Sequence, residues 1–441
     1  MHRARARRSV RQFGQGASRP RRSALRGSAV FSERDPDTEG KRGGTRTTAT
    51  VTTEDSPAPG QRVVRGATVP ASPEVSIVVL VTESTERVQR CLDSIVAHVA
   101  GGPVAEVIVL ANGTPSSALQ PLAARDDIVL VRSAVNHGFG GGCNWAARFA
   151  RADRLVFLND DATVTAGWLT MLNDAMTDDP RIGVAGSRVL FGDGLLQEAG
   201  DVIWRDGSTS HLGRGLAGDD AELMSRRDVD YVSFCSAMVR RQAWEDVDGF
   251  DERYFPAYYE DVDLCMAARA KGWRVVCEPA SVVIHEEGGS TPVPLRHFLS
   301  HRNQAIFVNK WQHELARFDE RPARAGTRAV MTLAARRISA TDAATPPASP
   351  RRRTSRGRVQ DSAAEVDALA VELRHQADDV ALKEEYIAFL GNELAGYGAA
   401  DVARRCYRAL RGELGRQVRR HPRLLNVVEA LRTRIRERTS Q

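Results

Sequence analysis

Three polar residues that follow a short apolar run are the first candidates for chemistry in this chain. The apolar run 155–158 leads directly into Asn159, Asp160 and Asp161. Such a run predicts a buried strand of a parallel sheet, and ligands of open α/β sheets bind beyond the carboxyl ends of the strands. Two carboxylates there suit a divalent cation that shares its ligands with a phosphate-bearing substrate. Taken alone, the same residues are explained equally well as an N-cap before a helix at 164–176.

A second acidic stretch follows further along the chain. Residues 249–264 combine aromatic side chains with carboxylates, among them Glu260, Asp261 and Asp263. This mixture is more typical of the wall of a site than of an apolar core. Neighbouring helical residues are about 100° apart, so the three carboxylates cannot all face one site. The simpler alternative is that all three interact with the helix dipole as N-terminal charges.

A glycine-rich stretch lies before the first acidic turn. Residues 136–144 read Asn-His-Gly-Phe-Gly-Gly-Gly-Cys-Asn, and glycines of this kind let the main chain approach a ligand closely. The stretch lacks the ending of a P-loop, and Cys143 takes the last position of a dinucleotide-binding fingerprint. We therefore predict a glycine-rich loop before a helix at 145–151. A tight turn without a ligand is the alternative explanation.

The elements that must position these residues alternate between strands and helices. This alternation is typical of βαβ units, so the predicted fold class is α/β, with a Rossmann-like mixed sheet flanked by helices. Residues 195–228 are rich in Gly and Asp and give no clear assignment. The predicted strands at the start of the fold are 75–81, 106–111 and 128–131, and the predicted helices are 85–99 and 145–151.

Composition divides the 441-residue chain into four parts. The N-terminal part is basic and too poor in apolar residues to offset the entropy of ordering, so we predict disorder there. The linker is rich in Pro and Arg but contains a basic amphipathic piece at 329–338. The parts are a disordered basic tail at 1–72, a globular domain at 73–320, a linker at 321–361 and a helical extension at 362–441.

The helical extension carries a partial coiled-coil pattern. Apolar residues recur at every seventh position from Val366 to Leu394, but the positions between them are mixed. Such a stripe predicts burial against another helical surface. The partner is either a second copy of the chain, which would make a homo-oligomer, or the main domain.

Charge and cysteine content limit the partners and the compartment. The net charge is +6, and arginines are concentrated toward both ends. Basic ends attract anionic membrane surfaces or nucleic acid, yet no recognition motif accompanies them, so we predict no specific nucleic-acid partner. We predict no membrane span or signal peptide, because the apolar runs are too short. Six cysteines without a C-x-x-C pair indicate a reduced cytoplasmic protein, at the inner membrane face if the basic ends bind lipid.

In their order and spacing, these motifs resemble the family 2 inverting glycosyltransferases with the GT-A fold. The resemblance is strongest to the rhamnosyltransferase and galactofuranosyltransferase-like branch, and it covers a little over half of the chain. It implies transfer of a sugar from a UDP- or dTDP-sugar to a glycan or lipid-linked acceptor in cell-wall or surface polysaccharide synthesis. The matching pieces are 75–81, 136–144, 158–161, 249–252, 260–264 and 285–290.

The resemblance also implies roles for individual residues. Asp161 and His285 correspond to the ligands of a divalent cation, Mn²⁺ or Mg²⁺, although an ordinary loop histidine is the alternative for His285. Asp261 corresponds to the catalytic base. The residues implied on the side of the nucleotide-sugar donor are Thr82, Glu83, Asn112, Asn136, Gly138, Gly142, Asn144 and Asp160.

The departures from the family pattern lie on the nucleotide side. Ala111 stands where the family often has an Asp that contacts the base, and Thr82 and Glu83 follow the first strand in place of the common Tyr-Asn. These changes leave the donor open but not the reaction class. Two other functions stay open. A nucleotidyltransferase would need a Gly- and Lys/Arg-rich loop after the first strand, and a scaffold or binding protein would be built on a decayed glycosyltransferase domain.

Overall fold

The structure, a computed structural model, describes residues 62–83, 85–286, 291–322, 326–339, 374–375 and 378–390. Eleven of its strands form one mixed sheet with helices packed on it, which confirms the predicted α/β class. The strands are β1 (Arg62–Arg65), β2 (Val75–Val81), β3 (Ala105–Asn112), β4 (Ile128–Ser133), β5 (Arg154–Leu158), β6 (Ala162–Val164), β7 (Ile182–Leu190), β8 (Leu196–Glu198), β9 (Asp201–Ile203), β10 (Thr209–His211), β11 (Arg227–Asp228), β12 (Ser236–Arg240) and β13 (Arg274–His285). The helices are α1 (Thr85–Val99), α2 (Gln120–Ala123), α3 (Gly138–Ala147), α4 (Trp168–Asp178), α5 (Arg241–Asp246), α6 (Glu260–Ala270), α7 (Val293–Leu315) and α8 (Thr327–Ser339).

The first half of the sheet is parallel, as its apolar strands predict. Strands β4, β3, β2 and β5 lie side by side in that order and run in the same direction. Their carboxyl ends therefore meet at one edge, which is where the turn with Asp160 and Asp161 leaves β5. Strand β1 pairs antiparallel with β4 at the outer side of the sheet.

The second half of the sheet brings a distant part of the chain back to the same edge. Strand β12 lies antiparallel between β5 and β7, and β13 runs parallel to β7. The last residues of β13 pair with the short strand β6, which sets His285 opposite Ala162. The end of β13 thus lies beside the acidic turn after β5.

The apolar core forms two layers, one on each face of the sheet. Successive residues of a strand point to opposite faces, so Ile77 and Val79 pack in the layer with α1 and α4. Val78, between them, packs in the other layer with residues of α3, α5 and α6. All three are at most 1% exposed, and burying each such side chain contributes about 1.5–3 kcal/mol. Both faces of the sheet are therefore sealed, and ligands must approach along an edge.

Three predicted boundaries are corrected. Strand β1 lies within 1–72, so the predicted disorder is wrong for the part from Arg62 onward, which pairs with β4. Helix α3 starts at Gly138 rather than Trp145, so the glycine-rich stretch is mostly helix and not loop. Helix α8 occupies much of the predicted linker, and its Val330 and Met331 pack on the core.

Part of the predicted helical extension is described and packs on the main domain. Residues 378–390 are helical, and the aromatic rings of Tyr386 and Phe389 lie 5.2 Å from that of Phe298 on α7. Leu382 is 7% exposed and completes this cluster. Other parts of 362–441, including the predicted stripe residues Val366, Leu373 and Leu394, lie outside the described residues. None of the described helices is both long and apolar enough to cross a membrane.

We expect Leu382→Asp to destabilise the chain, because it places a charge in this cluster. The loss in free energy of unfolding should be about 2–4 kcal/mol, as expected for losing a buried leucine and burying a charge. The exposed Glu384→Gln is the matched control on the same helix. Urea denaturation and gel filtration measure the result. A change in particle size with unchanged stability would instead indicate packing between two copies of the chain.

Candidate active site

Main-chain hydrogen bonds hold the turn that carries the first pair of carboxylates. The amide of Asn159 donates to the carbonyl oxygen of Cys235 at 2.9 Å, and the amide of Ala162 donates to the carbonyl oxygen of Asn159 at 3.2 Å. The amide of Glu286, just past β13, donates to the carbonyl oxygen of Asp161 at 3.2 Å. The turn after β5 is thus tied both to β12 and to the end of β13.

Asp161 and His285, the predicted cation ligands, are in contact. Oδ1 of Asp161 lies 3.1 Å from Nε2 of His285. Nδ1 of His285 lies 3.0 Å from Oε1 of Gln197, an arrangement that orients the ring and leaves Nε2 for a ligand. Burial lowers the pKa of His285, but Cys235 and Asp161 outweigh it and raise the pKa to about 11. A cation held by both side chains would displace the Nε2 proton.

Asp160 adds a second carboxylate beside this pair. Burial raises its pKa, and the neighbouring Asp161 charge raises it further, to about 6. Both effects disfavour a second negative charge at this turn. A divalent cation would relieve that repulsion, so the turn suits cation binding better than a simple helix cap.

A second polar cluster, which the sequence did not predict, lies near this pair. Nδ1 of His211 is 3.1 Å from Oε2 of Glu198 and 3.1 Å from Oδ2 of Asp201. Asp201 is fully buried and Glu198 nearly so, whereas the His211 side chain is 38% exposed. The Asp201 charge raises the pKa of His211 well above its ordinary value. Within the part of the chain that is described, this cluster has the residue types and spacing to hold a metal ion.

The signal for this cluster lies in a hairpin. Strands β9 and β10 pair antiparallel, which sets His211 opposite Asp201, and Asp206-Gly207 lies in the connection between them. An Asp-Gly pair between two short extended runs is a strong hairpin signal. Recognising it would have brought Asp201 and His211 together, but Glu198 comes from β8 and joins them only through the tertiary fold.

Asp261, the predicted base, lies close to the second cluster. Burial raises its pKa to about 6, and the nearby Glu198 charge contributes to that rise. Oδ1 of Asp261 accepts a hydrogen bond from the amide of Val262 at 2.8 Å. Glu198 is the neighbour of Gln197, the residue that contacts His285. Strand β8 therefore connects the surroundings of Asp261 to the Asp161–His285 pair.

Asn112, predicted to contact the nucleotide, is 1% exposed and used inside the protein. Its amide nitrogen donates to Oδ1 of Asn136 at 3.1 Å and to the carbonyl oxygen of Gly138 at 2.9 Å. Its amide oxygen accepts from the main-chain amide of His137 at 2.8 Å. In the structure its side chain fastens the start of α3 to the end of β3, and its contact with the nucleotide stays a prediction.

Gly142 and Asn144 also have structural contacts on α3, and their roles toward the donor stay predictions. A Cβ at Gly142 would lie 2.5 Å from Cδ2 of Leu80, so glycine lets α3 pack closely on β2. The side chain of Asn144 donates to the carbonyl oxygen of Phe250 and accepts from its amide, each at 2.9 Å. These contacts account for the packing of α3 on its neighbours.

The remaining donor-side predictions stay predictions. Thr82 is half-buried and Glu83 exposed, both directly after β2 at the carboxyl edge. Asn136 is exposed, and its Oδ1 accepts from the amide of Gly138 at 2.8 Å. Gly138 has a φ of 70°, which only glycine adopts readily.

With this geometry in place, comparison with known proteins identifies the domain. Residues 76–247 match the family model described as Glycosyl transferase family 2. These residues belong to a family 2 glycosyltransferase domain. This confirms the family predicted from the motifs. Asp261 and His285 lie beyond the matched residues, so their roles stay predictions.

Two curated relatives of this region are named for O-antigen biosynthesis and for rhamnosyl transfer. The O-antigen biosynthesis protein RfbC of Myxococcus xanthus is 32% identical over 243 residues, which are 53% of this chain and 19% of that protein. The N-acetylglucosaminyl-diphospho-decaprenol L-rhamnosyltransferase of Mycobacterium tuberculosis is 29% identical over 221 residues, 45% of this chain and 71% of that protein. The chain thus spans about a fifth of the first relative's length.

Two solved structures align with part of this chain at low sequence identity. GalNAc-T7 with UDP, GalNAc and Mn²⁺ aligns with a TM-score of 0.46 and 13% identity, over 56% of this chain and 50% of that chain. A mannosyltransferase from Pyrobaculum calidifontis in complex with GDP-Man and Mn²⁺ aligns with a TM-score of 0.40 and 16% identity, over 72% and 86% of the two chains.

The three carboxylates of α6 in the glycosyltransferase domain have different surroundings, as helical spacing predicts. Glu260 is buried, and burial raises its pKa well above the ordinary value. Its Oε2 has no hydrogen-bond partner among the described residues. Asp263 is 2% exposed and turns toward α7. Asp261 lies near the Glu198 cluster, and its pKa of about 6 suits proton transfer.

Asp263 is part of a network that joins α6 to α7. Its carboxylate accepts hydrogen bonds from the hydroxyl of Tyr254 at 3.0 Å and the indole nitrogen of Trp311 at 2.7 Å. Nζ of Lys310 donates to Oδ2 of Asp263 at 2.7 Å and to Oδ2 of Asp251 at 2.8 Å. The network fixes the position of α6, and with it the position of Asp261.

Replacing Asp263 with leucine is expected to destabilise the domain by about 3 kcal/mol. The change leaves two buried donors without an acceptor and takes one carboxylate from Lys310. The more exposed Asp251→Asn, which keeps an acceptor oxygen, is the matched control and should cost about 1 kcal/mol. Both values are measured by urea denaturation. Equal stability of the two variants would show that the network does not hold α6.

Proposed function

We propose that the domain is the catalytic domain of an inverting glycosyltransferase, which moves a sugar from a nucleotide diphospho-sugar to a hydroxyl acceptor. The observation that carries the proposal is the grouping of Asp161, His285 and Asp261 around β8. Gln197 contacts His285, and the adjacent Glu198 is close enough to raise the pKa of Asp261. This grouping supports one site for the proposed cation ligands and the proposed base.

Asp161 and His285 are the proposed ligands of a divalent cation. A carboxylate oxygen and an imidazole nitrogen, with the second ring nitrogen held by Gln197, fit Mn²⁺ or Mg²⁺, and the imidazole favours Mn²⁺. When bound, the cation would neutralise charge that develops on the leaving diphosphate. In this proposal Asp160 assists as a third ligand.

Asp261 is the proposed general base. With a pKa of about 6 it is ionised at neutral pH and can accept the proton of the acceptor hydroxyl. The hydroxyl oxygen bonds to the anomeric carbon while the bond from that carbon to the diphosphate oxygen breaks. The nucleoside diphosphate leaves with the bonding electrons, and a single displacement inverts the anomeric centre.

The substrate class in this proposal follows the names of the relatives. One is named for O-antigen biosynthesis, and another is named an L-rhamnosyltransferase acting on a diphospho-decaprenol carrier. We therefore propose a UDP- or dTDP-sugar donor and a glycan or lipid-linked acceptor of a cell-surface polysaccharide. The reaction would take place at the cytoplasmic face of the membrane.

A thermal-shift screen tests the proposal with the full chain. UDP- and dTDP-sugars are added with Mn²⁺ and, in parallel, with EDTA. A donor that binds the folded state stabilises it by mass action, by about 2.7 kcal/mol at 100 times its dissociation constant. Release of nucleoside diphosphate is then measured with lipid-linked acceptors. Donor binding without any release would favour a binding protein built on this domain, and no stabilisation by any donor would reject the proposal.

A further inference from the structure

The turn before α6 has an unusual main-chain conformation. Tyr258 has a φ of 78° and Tyr259 a φ of 73°, in the left-handed region that large side chains rarely adopt. Such conformations persist only when the surroundings impose them. The carbonyl oxygen of Tyr259 accepts the amide of Asp263 at 2.9 Å in the first turn of α6. The turn therefore fixes where α6 begins, and Asp261 is the second residue of that helix.

One side chain on α7 binds the carbonyl oxygens of this turn. The amide nitrogen of Asn303 is within hydrogen-bond distance of the carbonyl oxygens of Tyr254, Ala257 and Tyr258, at 2.9, 2.9 and 2.8 Å. Asn303 is fully buried, and its Oδ1 accepts from the guanidinium of Arg302 at 2.8 Å. Three carbonyl oxygens thus converge on an amide group that has only two N–H donors. No apolar side chain could replace it without leaving these oxygens unpaired.

The helix that carries Asn303 is itself well anchored. Leu299 and Phe307, one turn before and one turn after it, are 1% and 0% exposed. Lys310 and Trp311 further along α7 bind Asp263 on the same α6. Helix α7 thus holds the beginning of α6 from two sides.

We propose that Asn303 is a positioning residue for Asp261. By binding the carbonyl oxygens of the turn, it imposes the left-handed conformation of Tyr258 and Tyr259 and so sets the direction of the first turn of α6. The inference rests on the proposed function, because Asp261 is the base only in that proposal. Asn303 does not contact a substrate in this assignment and acts through the main chain alone.

Asn303→Asp tests the assignment, because it keeps the shape of the side chain but removes both donors. Gln304→Ala is the matched control, since it removes a side-chain bond to the carbonyl oxygen of Asp206 from the exposed face of the same helix. Hydrogen exchange of the amides of 254–263 should quicken at least about tenfold in Asn303→Asp and stay unchanged in the control. Turnover per folded molecule should fall roughly 10- to 100-fold, because misplacement of a reacting group by about 1 Å has that effect.

A split between binding and turnover separates positioning from a general structural role. The affinities of UDP and dTDP with Mn²⁺, measured by calorimetry, should stay within about threefold of wild type, because these ligands do not depend on Asp261. If Asn303→Asp does not fold, Asn303→Ser keeps one donor and should show a smaller change of the same kind. Exchange that rises evenly over the domain, or turnover per folded molecule equal to wild type, would overturn the assignment.

The same measurements distinguish this proposal from the proposed function. If the wild-type chain releases no nucleoside diphosphate from any UDP- or dTDP-sugar, the proposed function fails. Asn303 then has no catalytic base to position, and its assignment fails as well. If the wild type is active and only the Asn303 assignment is wrong, wild-type release persists while the variants match it.

Discussion

Replacing Asp261 with asparagine is expected to reduce turnover by roughly 10²–10⁴-fold, the usual contribution of general base catalysis. The change removes the proton acceptor but keeps the size of the side chain. Asn can still accept the amide of Val262, so α6 should keep its first turn. Binding of UDP or dTDP with Mn²⁺ should survive, because Asp261 is not a cation ligand in the proposal. Turnover is measured with a competent acceptor and nucleotide affinity by calorimetry.

The dependence of activity on pH gives the same assignment a second readout. The base must be unprotonated to act, and the pKa of Asp261 is raised to about 6 by burial and by Glu198. Turnover should therefore rise as the pH increases through about 6, and this acidic limb should be lost in Asp261→Asn. The exposed Glu245→Gln on α5 is the control and should keep the acidic limb. Near-normal turnover of Asp261→Asn would reject the assignment and make Glu260 the next residue to test.

Replacing Asp161 with asparagine is expected to remove the dependence on divalent cations together with most of the activity. Loss of one preorganised stabiliser of developing charge usually lowers turnover by about 10²–10³-fold. The carbonyl oxygen that accepts from Glu286 is unchanged by the substitution, so the turn itself should persist. Turnover is measured against Mn²⁺ concentration, and EDTA should reproduce the loss in the wild type.

The exposed Asp174→Asn on α4 is the matched control for this prediction, since it removes the same charge far from the turn in sequence. It should keep wild-type turnover and the wild-type response to Mn²⁺. Full transfer by the wild type in EDTA would exclude a cation role for Asp161 and His285. A thermal melt of each variant verifies that lost activity does not reflect lost folding.

The acidic turn could be predicted from the sequence because a buried strand and its end are local features. The run 155–158 is apolar without interruption, so Asp160 and Asp161 had to lie at the carboxyl edge of the sheet. The contact between Asp161 and His285 depends on the pairing of β6 with β13, which no local pattern specifies. Only the family resemblance predicted that these two residues lie in the same site.

Other parts of the site escaped prediction for physical reasons. Glycine costs about 1 kcal/mol relative to alanine in a helix interior, so 138–142 looked like a loop. An added Cβ at Gly142 would lie 2.5 Å from Cδ2 of Leu80, so the packing of α3 on β2 requires glycine there in spite of that cost. The cluster of Glu198, Asp201 and His211 draws on three short strands and has no periodic signal long enough to recognise.

The place of β13 in the sheet has a consequence for how this domain can be cut or transplanted. The family match ends at residue 247, whereas β13 spans Arg274–His285 and pairs along most of β7. A fragment that stopped at the match boundary would leave β7 with one bare edge, and unpaired strand edges template aggregation. It would also lack α6 and α7. Expression fragments of this chain should therefore end after α7, at or beyond Leu315, and chimeras should be joined there. The edge of β7 is then paired with β13.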